Sequence, residues 1–188
     1  MQTGAAAWAD CQDPTLEVSA DVFGLDINPD RTYSAIVAAG PEGVEVVDYR
    51  PGTDWLTERA RGLGKYRRPF VIDQQGPAGN LIAALEQAGL KVQGLNGEQM
   101  VKAAGDFYDR VVARTIRIRS NVDLDRAAQA AAKRPVGDAF TWGRKNSEHD
   151  VSLLVAASAA AWRQSHKRPV GVFFAQGDMR QRFSNSPE

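Results

Sequence analysis

Cysteine is nearly missing from this chain of 188 residues: Cys11 stands alone. That excludes an internal disulfide framework and any zinc cluster built on cysteines, and it makes a reducing cytosol the expected compartment. Long hydrophobic runs are missing as well. The most apolar stretch, Val151 to Trp162, has 12 residues, well short of the roughly 20 that a membrane span needs. The first nine residues have neither the positive start nor the apolar run of a secretory signal. There is no internal repeat and no low-complexity tract. What is present is 43% hydrophobic and 24% charged residues, the balance of a soluble globular protein with one domain of ordinary size.

The net charge is zero, but the charges are segregated along the chain. From Met1 to Glu58 there are 11 acidic residues against 2 basic ones, and from Arg110 to Lys145 there are 9 basic against 3 acidic. Such a separation allows one face to hold cations through carboxylates while another attracts a polyanion. Unrelated solvated faces are the alternative reading.

The first 20 residues carry no sustained period and read as a linker, with Trp8 as a possible anchor. VFGLDI (22–27), the polar turn Asn28-Pro29-Asp30 and TYSAIVAA read as a hairpin, and VEVVDY after a Gly-Pro-Glu-Gly turn adds a third antiparallel strand. WLTERARGLGKY predicts a helix and PFVID a buried strand. AGNLIAALEQAG is a helix opened by Gly76-Pro77 and closed by Gly89. LKVQGL is the next strand. NGEQMVKAAGDFYDRVVA is a helix capped by Asn96, with an apolar stripe at Met100, Ala103, Ala104, Phe107 and Val111. TIRIRS alternates as a strand should, VDLDRAAQAAAKR is helical, DAFTWGRK is a strand, and VSLLVAASAAAWRQSH is an apolar helix. The tail 168–188 holds one short apolar piece, VGVFFA. The expected class is α/β: a mixed sheet of three antiparallel strands followed by parallel ones, flanked by helices.

Three carboxylates occupy comparable places: Asp26 near the end of the first strand, Asp73 at the end of PFVID, and Asp150 at the start of the late helix. An acid embedded in an apolar strand is costly to ionise unless it is paired or metal-bound. For Asp26 or Asp73 taken singly, pairing with an arginine or capping a turn is the alternative. Together the three suit Mg²⁺ or Mn²⁺, hard cations that take oxygen ligands, and two such ions about 4 Å apart can clamp a phosphodiester displacement. Asp30 can reach a metal through water or serve an Asx turn. His149 adjoins the third acid, as a helix-cap neighbour or an auxiliary group.

The segments FGLDINPDRTYSAIVAAG, FVIDQQGPAGNLIAALEQAGLKV, AAGDFYDRVV, LDRAAQAAAKRPVGDAFTWGRK and HDVSLLVAASAAAW, in this order, resemble the C-terminal nuclease domain of tailed-phage terminase large subunits, members of the RNase H-like superfamily. The resemblance covers most of Asp21 to Trp162. It implies a domain over 21–167, with 1–20 as a linker remnant. It also implies a two-metal-ion endodeoxyribonuclease with Asp26, Asp73 and Asp150 as metal ligands, acting on concatemeric double-stranded DNA in the cytoplasm of an infected bacterial host. The parent assembly would add an ATPase motor domain, a portal and a small terminase subunit. The phosphate loop of that motor, GxxxxGK(S/T), does not occur here.

Phosphate contacts are expected from the basic segment: Arg114, Arg117, Arg119, Lys133, Arg134, Arg144 and Lys145, with little base specificity. Arg117 and Arg119 would share one face of their strand, as a DNA surface or as a solvated edge. Trp142 and Trp162 are expected in the core. A junction resolvase or transposase-like nuclease of the same superfamily, and a non-catalytic module docking DNA or the portal, are the competing functional readings.

Overall fold

In the computed structural model residues 5–64 and 67–166 are described; the expected tail 168–188 lies outside them. Within residues 1–20, read from sequence as a linker with Trp8 as a possible anchor, Ala5–Asp10 forms a helix (α1) and Gln12–Asp13 a short strand (β1). Ala7, Trp8, Cys11 and Leu16 are buried. Trp8 Nε1 donates to Asp125 at 2.9 Å. A buried indole with its N–H satisfied contributes apolar burial that a free linker would not.

Val22–Ile27 (β2), Tyr33–Gly40 (β3) and Gly43–Pro51 (β4) are antiparallel neighbours, with Asp26 opposite Ala35 and Ala35 opposite Tyr49. The turn between β2 and β3 is organised by Asn28, whose Oδ1 accepts from the backbone N–H groups of Thr32 and Tyr33 at 2.8 and 3.0 Å. The register of β3 with β4 shifts between Ile36 and Val37, a β-bulge. Because of it Val47 and Asp48 both fall on one face, and Tyr49 turns to the other.

Helix α2 (Leu56–Gly64) leads to β5 (Phe70–Asp73). A short 3₁₀ turn at Gly79–Leu81 and α3 (Ile82–Gln87) lead to β6 (Val92–Leu95). Parallel pairing of β5 with β2 and of β6 with β5 extends the sheet on one side. Helix α4 (Gly97–Val112) has the expected Asn96 capping box with Gln99, and its five stripe residues are buried. Ile118–Arg119 (β7) pairs in parallel with both β4 and β1. The seven strands lie in the order β1-β7-β4-β3-β2-β5-β6.

Helix α5 (Val122–Ala130) ends before Lys133, where sequence reasoning continues it to Arg134. Lys133–Val136 (β8) instead pairs with Ala139–Trp142 (β9) as a separate two-stranded ribbon. Pro135 disfavours helical backbone at Arg134, and the chain already turns extended at Ala131 to enter the ribbon. Helix α6 (Ser152–Ser165) is buried from Ser152 through Ala161, between the sheet and α4. Its close seat depends on Gly24: a Cβ there would stand 2.1 Å from the Ala156 carbonyl oxygen. Side chains of β2 alternate between the two cores. Val22 packs with the α4/α6 cluster, while Phe23, Leu25 and Ile27 pack with Leu56, Phe70, Ile72 and Leu85 on the α2/α3 side. Among the described residues no helix is long and apolar enough to cross a membrane.

Candidate active site

The alternation of β2 turns Asp26 toward α6, and the pairing of Leu25 with Ile72 brings the next residues of both strands, Asp26 and Asp73, side by side at the C-terminal ends of parallel strands. Asp26 is only 1% exposed. One cation serves both acids. Trp142 at the end of β9 donates through Nε1 to Ser158 Oγ on α6 at 2.8 Å, and this fixes the start of the loop that carries Arg144. The guanidinium of Arg144, 16% exposed, donates through Nη1 to Asp26 Oδ2 and through Nη2 to Asp73 Oδ2, the latter at 3.0 Å. Gly76 leaves room for it, since a Cβ there would lie 2.9 Å from Nη2.

Asp26 Oδ1 is buried with no hydrogen-bond partner, a state that costs about 1–3 kcal/mol and more for a charged group. Burial pushes the Asp26 carboxyl up to about 6, against the opposing pull of Arg144 and with a further push from Asp73. The Arg144 guanidinium, held by both carboxylates, stays protonated.

Asp150 sits at the entrance of α6. Its Oδ1 accepts from Ser152 N at 2.8 Å, and its Oδ2 from Ser152 Oγ at 3.0 Å and from the Tyr49 hydroxyl at 2.9 Å. Tyr49 lies two strands from Asp26 in register and stacks on Tyr33 with ring centroids 5.0 Å apart. Burial, then the Asp150 charge, push the Tyr49 hydroxyl well above its ordinary range, so it remains a donor to Asp150. A cleft of about 450 Å³ opens here, lined by Tyr33, Tyr49, Pro51, Asp123, Arg126, His149 and Asp150.

The structure therefore brings Asp26 and Asp73 together and places Asp150 at the same end of the sheet, on the same face, held by Tyr49 and Ser152. Among the described residues no group of three or more His, Cys, Asp or Glu is gathered closely enough to hold a metal ion. Asp30 is exposed in a turn that Asn28 organises. His149 is exposed on the cleft wall.

The basic residues divide. Arg144, expected as a DNA contact, is instead the partner of two site carboxylates. Arg117 pairs with Asp13, Arg119 with Glu45 at 3.1 Å, and Arg114 with Asp10 at 2.7 Å. The register running from Ile118 through Val44 and Ala39 to Val22 puts β7 level with the start of β2. Three strand spacings and four residues along a strand then separate it from Asp26, about 14 Å one way and about 13 Å the other. Ile118 faces the α4/α6 core, so by strand alternation Arg117 and Arg119 face away from it. They form a charge-neutralised patch on the face of the sheet opposite α6. Lys133 lies over the rings of Tyr108 and Phe140, its Nζ 3.4 and 4.3 Å from their centroids. Arg134 and Lys145 are exposed and form no ion pair among the described residues. Tyr49, Ser152 and the bridging role of Arg144 are what sequence reasoning missed.

No protein-family model matches the chain, and no curated protein is similar to it in sequence. Its three-dimensional arrangement does have counterparts. The large terminase nuclease from thermophilic phage G20c superposes with a TM-score of 0.64 at 14% identity, over 87% of this chain and 99% of that one. The chain has the phage terminase nuclease fold. The nuclease domain of the large terminase subunit of bacterial virus Sf6, solved with manganese, shares that fold with a TM-score of 0.56 at 10% identity, covering 83% of this chain and 96% of the other. The large terminase of bacteriophage HK97 matches with a TM-score of 0.59 at 10% identity over 84% of this chain, which spans 42% of that protein. The G20c nuclease has also been solved with magnesium and with cobalt. The mixed sheet with three antiparallel strands and parallel additions, expected from sequence, is the sheet of this terminase nuclease fold.

Proposed function

We propose that this chain is the metal-dependent endonuclease domain of a phage DNA-packaging terminase, cutting concatemeric double-stranded DNA by two-metal-ion phosphodiester hydrolysis, with Asp26, Asp73 and Asp150 as the metal ligands. The observation that carries this reading is the buried Asp26 with an unpartnered Oδ1, next to Asp73, at strand ends of the terminase nuclease fold. The donor chemistry fits, since carboxylate oxygens are the ligands that Mg²⁺ and Mn²⁺ take; Asp26 and Asp73 are already adjacent, and Asp150 would have to close on them, because the three are not gathered in the structure. Solved structures of the same fold hold Mg²⁺ and Mn²⁺.

Bound there, the ions would supply Lewis-acid stabilisation of the charge that develops on the phosphate oxygens and lower the pKa of an attacking water. The chain's own residues have separate tasks. Asp26 and Asp73 supply anionic oxygens from adjacent rigid strands. Ser152 and Tyr49 orient Asp150, and Tyr49 keeps its proton while doing so. Lys145, next to Arg144, and Arg134 on the ribbon offer cations to the DNA backbone without reading sequence. In the parent assembly the ATPase motor domain, portal and small terminase subunit are the partners, and the host cytoplasm is the setting.

One observation favours a second reading, a non-catalytic docking module: Arg144 already neutralises part of the acidic pair. Incubation of supercoiled plasmid with the protein in Mg²⁺, Mn²⁺ or chelator separates the two. Metal-dependent nicking that disappears in Asp26→Asn and Asp73→Asn is expected; equal cleavage by both variants would overturn the assignment.

A further inference from the structure

Among the described residues there are two buried acid–arginine arrangements of opposite stoichiometry. On the α2 side of the sheet, Asp48 has two cations: Oδ1 bonds Arg50 and Oδ2 bonds Arg59 at 2.5 Å. Both of its oxygens are satisfied, as a structural ion pair requires. On the α6 side the ratio is inverted. A single guanidinium is divided between Asp26 and Asp73, one Asp26 oxygen has no partner, and the three side chains carry one negative charge in excess when both acids are ionised. Arg144 has no ion pair or hydrogen bond among the described residues apart from these two carboxylates. Its loop is pinned at other points: Gly143 N donates to Ala132 O at 2.8 Å, and Ser147 Oγ donates to Gly143 O at 2.6 Å. Lys145 and Asn146 beyond it are exposed. The side chain can therefore leave by rotation of its own bonds, with the backbone staying in place.

We infer that Arg144 is a resident counter-cation of the nuclease site: its guanidinium holds Asp26 and Asp73 together before metal loading and must leave their Oδ2 atoms when divalent ions bind. Arg144 thereby sets the metal concentration at which the site loads. This inference rests on the reading of Asp26 and Asp73 as metal ligands. Its physical basis is competition for the same oxygens. A guanidinium and a divalent ion cannot both occupy the Oδ2 pair, so removing the arginine raises apparent metal affinity by the reciprocal of the fraction of time the site is free of it.

Calorimetric titration of Mn²⁺ into the DNA-free protein tests it, using wild type, Arg144→Gln, Arg144→Lys and Asp26→Asn, with circular dichroism to compare folding. Arg144→Gln is expected to bind Mn²⁺ with a Kd at least tenfold below that of wild type, and Arg144→Lys, which keeps the charge but loses the two-pronged grip, to fall between them. Equal or weaker binding by folded Arg144→Gln would overturn the inference. Should that variant not fold, wild-type protein labelled with ¹⁵N-arginine answers instead. One guanidinium protected from solvent exchange should lose its protection as Mg²⁺ saturates the site, and persistence of that protection at saturation would equally overturn the inference. A different pattern marks failure of the metal-site reading itself: Mn²⁺ heats that are the same, or absent, in wild type, Arg144→Gln and Asp26→Asn.

Discussion

Replacing Asp26 by asparagine should inactivate the protein and, at neutral pH, make it more stable. The carboxyl is buried and titrates at about 6 in the folded protein, against its ordinary value of 3.8. Below pH 3.8 the group is protonated in both folded and unfolded chains and contributes nothing. Between pH 3.8 and 6 the unfolded chain ionises first, so stability falls as pH rises, and above pH 6 the whole penalty is present. At 1.36 kcal/mol per pKa unit, the difference is about 3 kcal/mol. Asparagine resembles the protonated acid and has no such penalty. Asp26→Asn should match wild type near pH 4 and exceed it by up to about 3 kcal/mol at pH 7, which for a domain of this size is a rise in Tm of roughly 6–12 °C. Urea denaturation in chelator from pH 4 to 7.5 measures this, beside plasmid cleavage in Mn²⁺. If the Asp26–Arg144 contact were instead a stabilising structural pair, the variant would lose about 3–5 kcal/mol at pH 7. That loss, or undiminished cleavage, would refute the reasoning.

Charge reversal at Arg117 and Arg119 should leave DNA binding and its salt dependence unchanged, because both residues face away from the site; reversal at Arg134 and Lys145 should flatten the log Kd against log salt slope by up to about 0.9 for each phosphate that the protein no longer neutralises. Filter binding over a salt series reads both. Tyr49→Phe removes one hydrogen bond to Asp150 and should cost about 1 kcal/mol of stability, while lowering cleavage less than Asp150→Asn does; equal activity to wild type in a plasmid time course would remove Tyr49 from the site. Gly24→Ala should destabilise by about 3 kcal/mol or more, since its Cβ meets the Ala156 carbonyl oxygen at 2.1 Å, and thermal melts that match wild type would contradict the packing described.

The readable parts of this protein are those in which a residue type conflicts with its local surroundings. Asp26 within VFGLDI and Asp73 at the end of FVID stand out because an acid in an apolar strand needs a compensating partner, and strand register then makes them neighbours. Helix α4 is equally legible, since its Asn96 cap and apolar stripe are both local signals. The unreadable parts depend on contacts distant in sequence or on a change of phase. Strict alternation puts Tyr49 on the face opposite Val46 and Asp48 on the same face as Val46. The bulge opposite Ile36 and Val37 reverses this, sending Asp48 to Arg59 and Tyr49 to Asp150. Nothing in VEVVDY marks that step. Residues 5–16 read as a linker because their apolar members have no period, although Trp8 finds Asp125 across 117 positions. Arg144 is hard to place for a related reason: in GRK it is one more cation in a basic segment, and only the fold shows that it alone stands between two acids. A count of basic residues therefore overstates the cations of this segment that are free of a carboxylate partner. Arg114, Arg117, Arg119 and Arg144 are each matched to a carboxylate of the chain itself, whereas Lys133, Arg134 and Lys145 on the ribbon and the loop before α6 form no ion pair among the described residues.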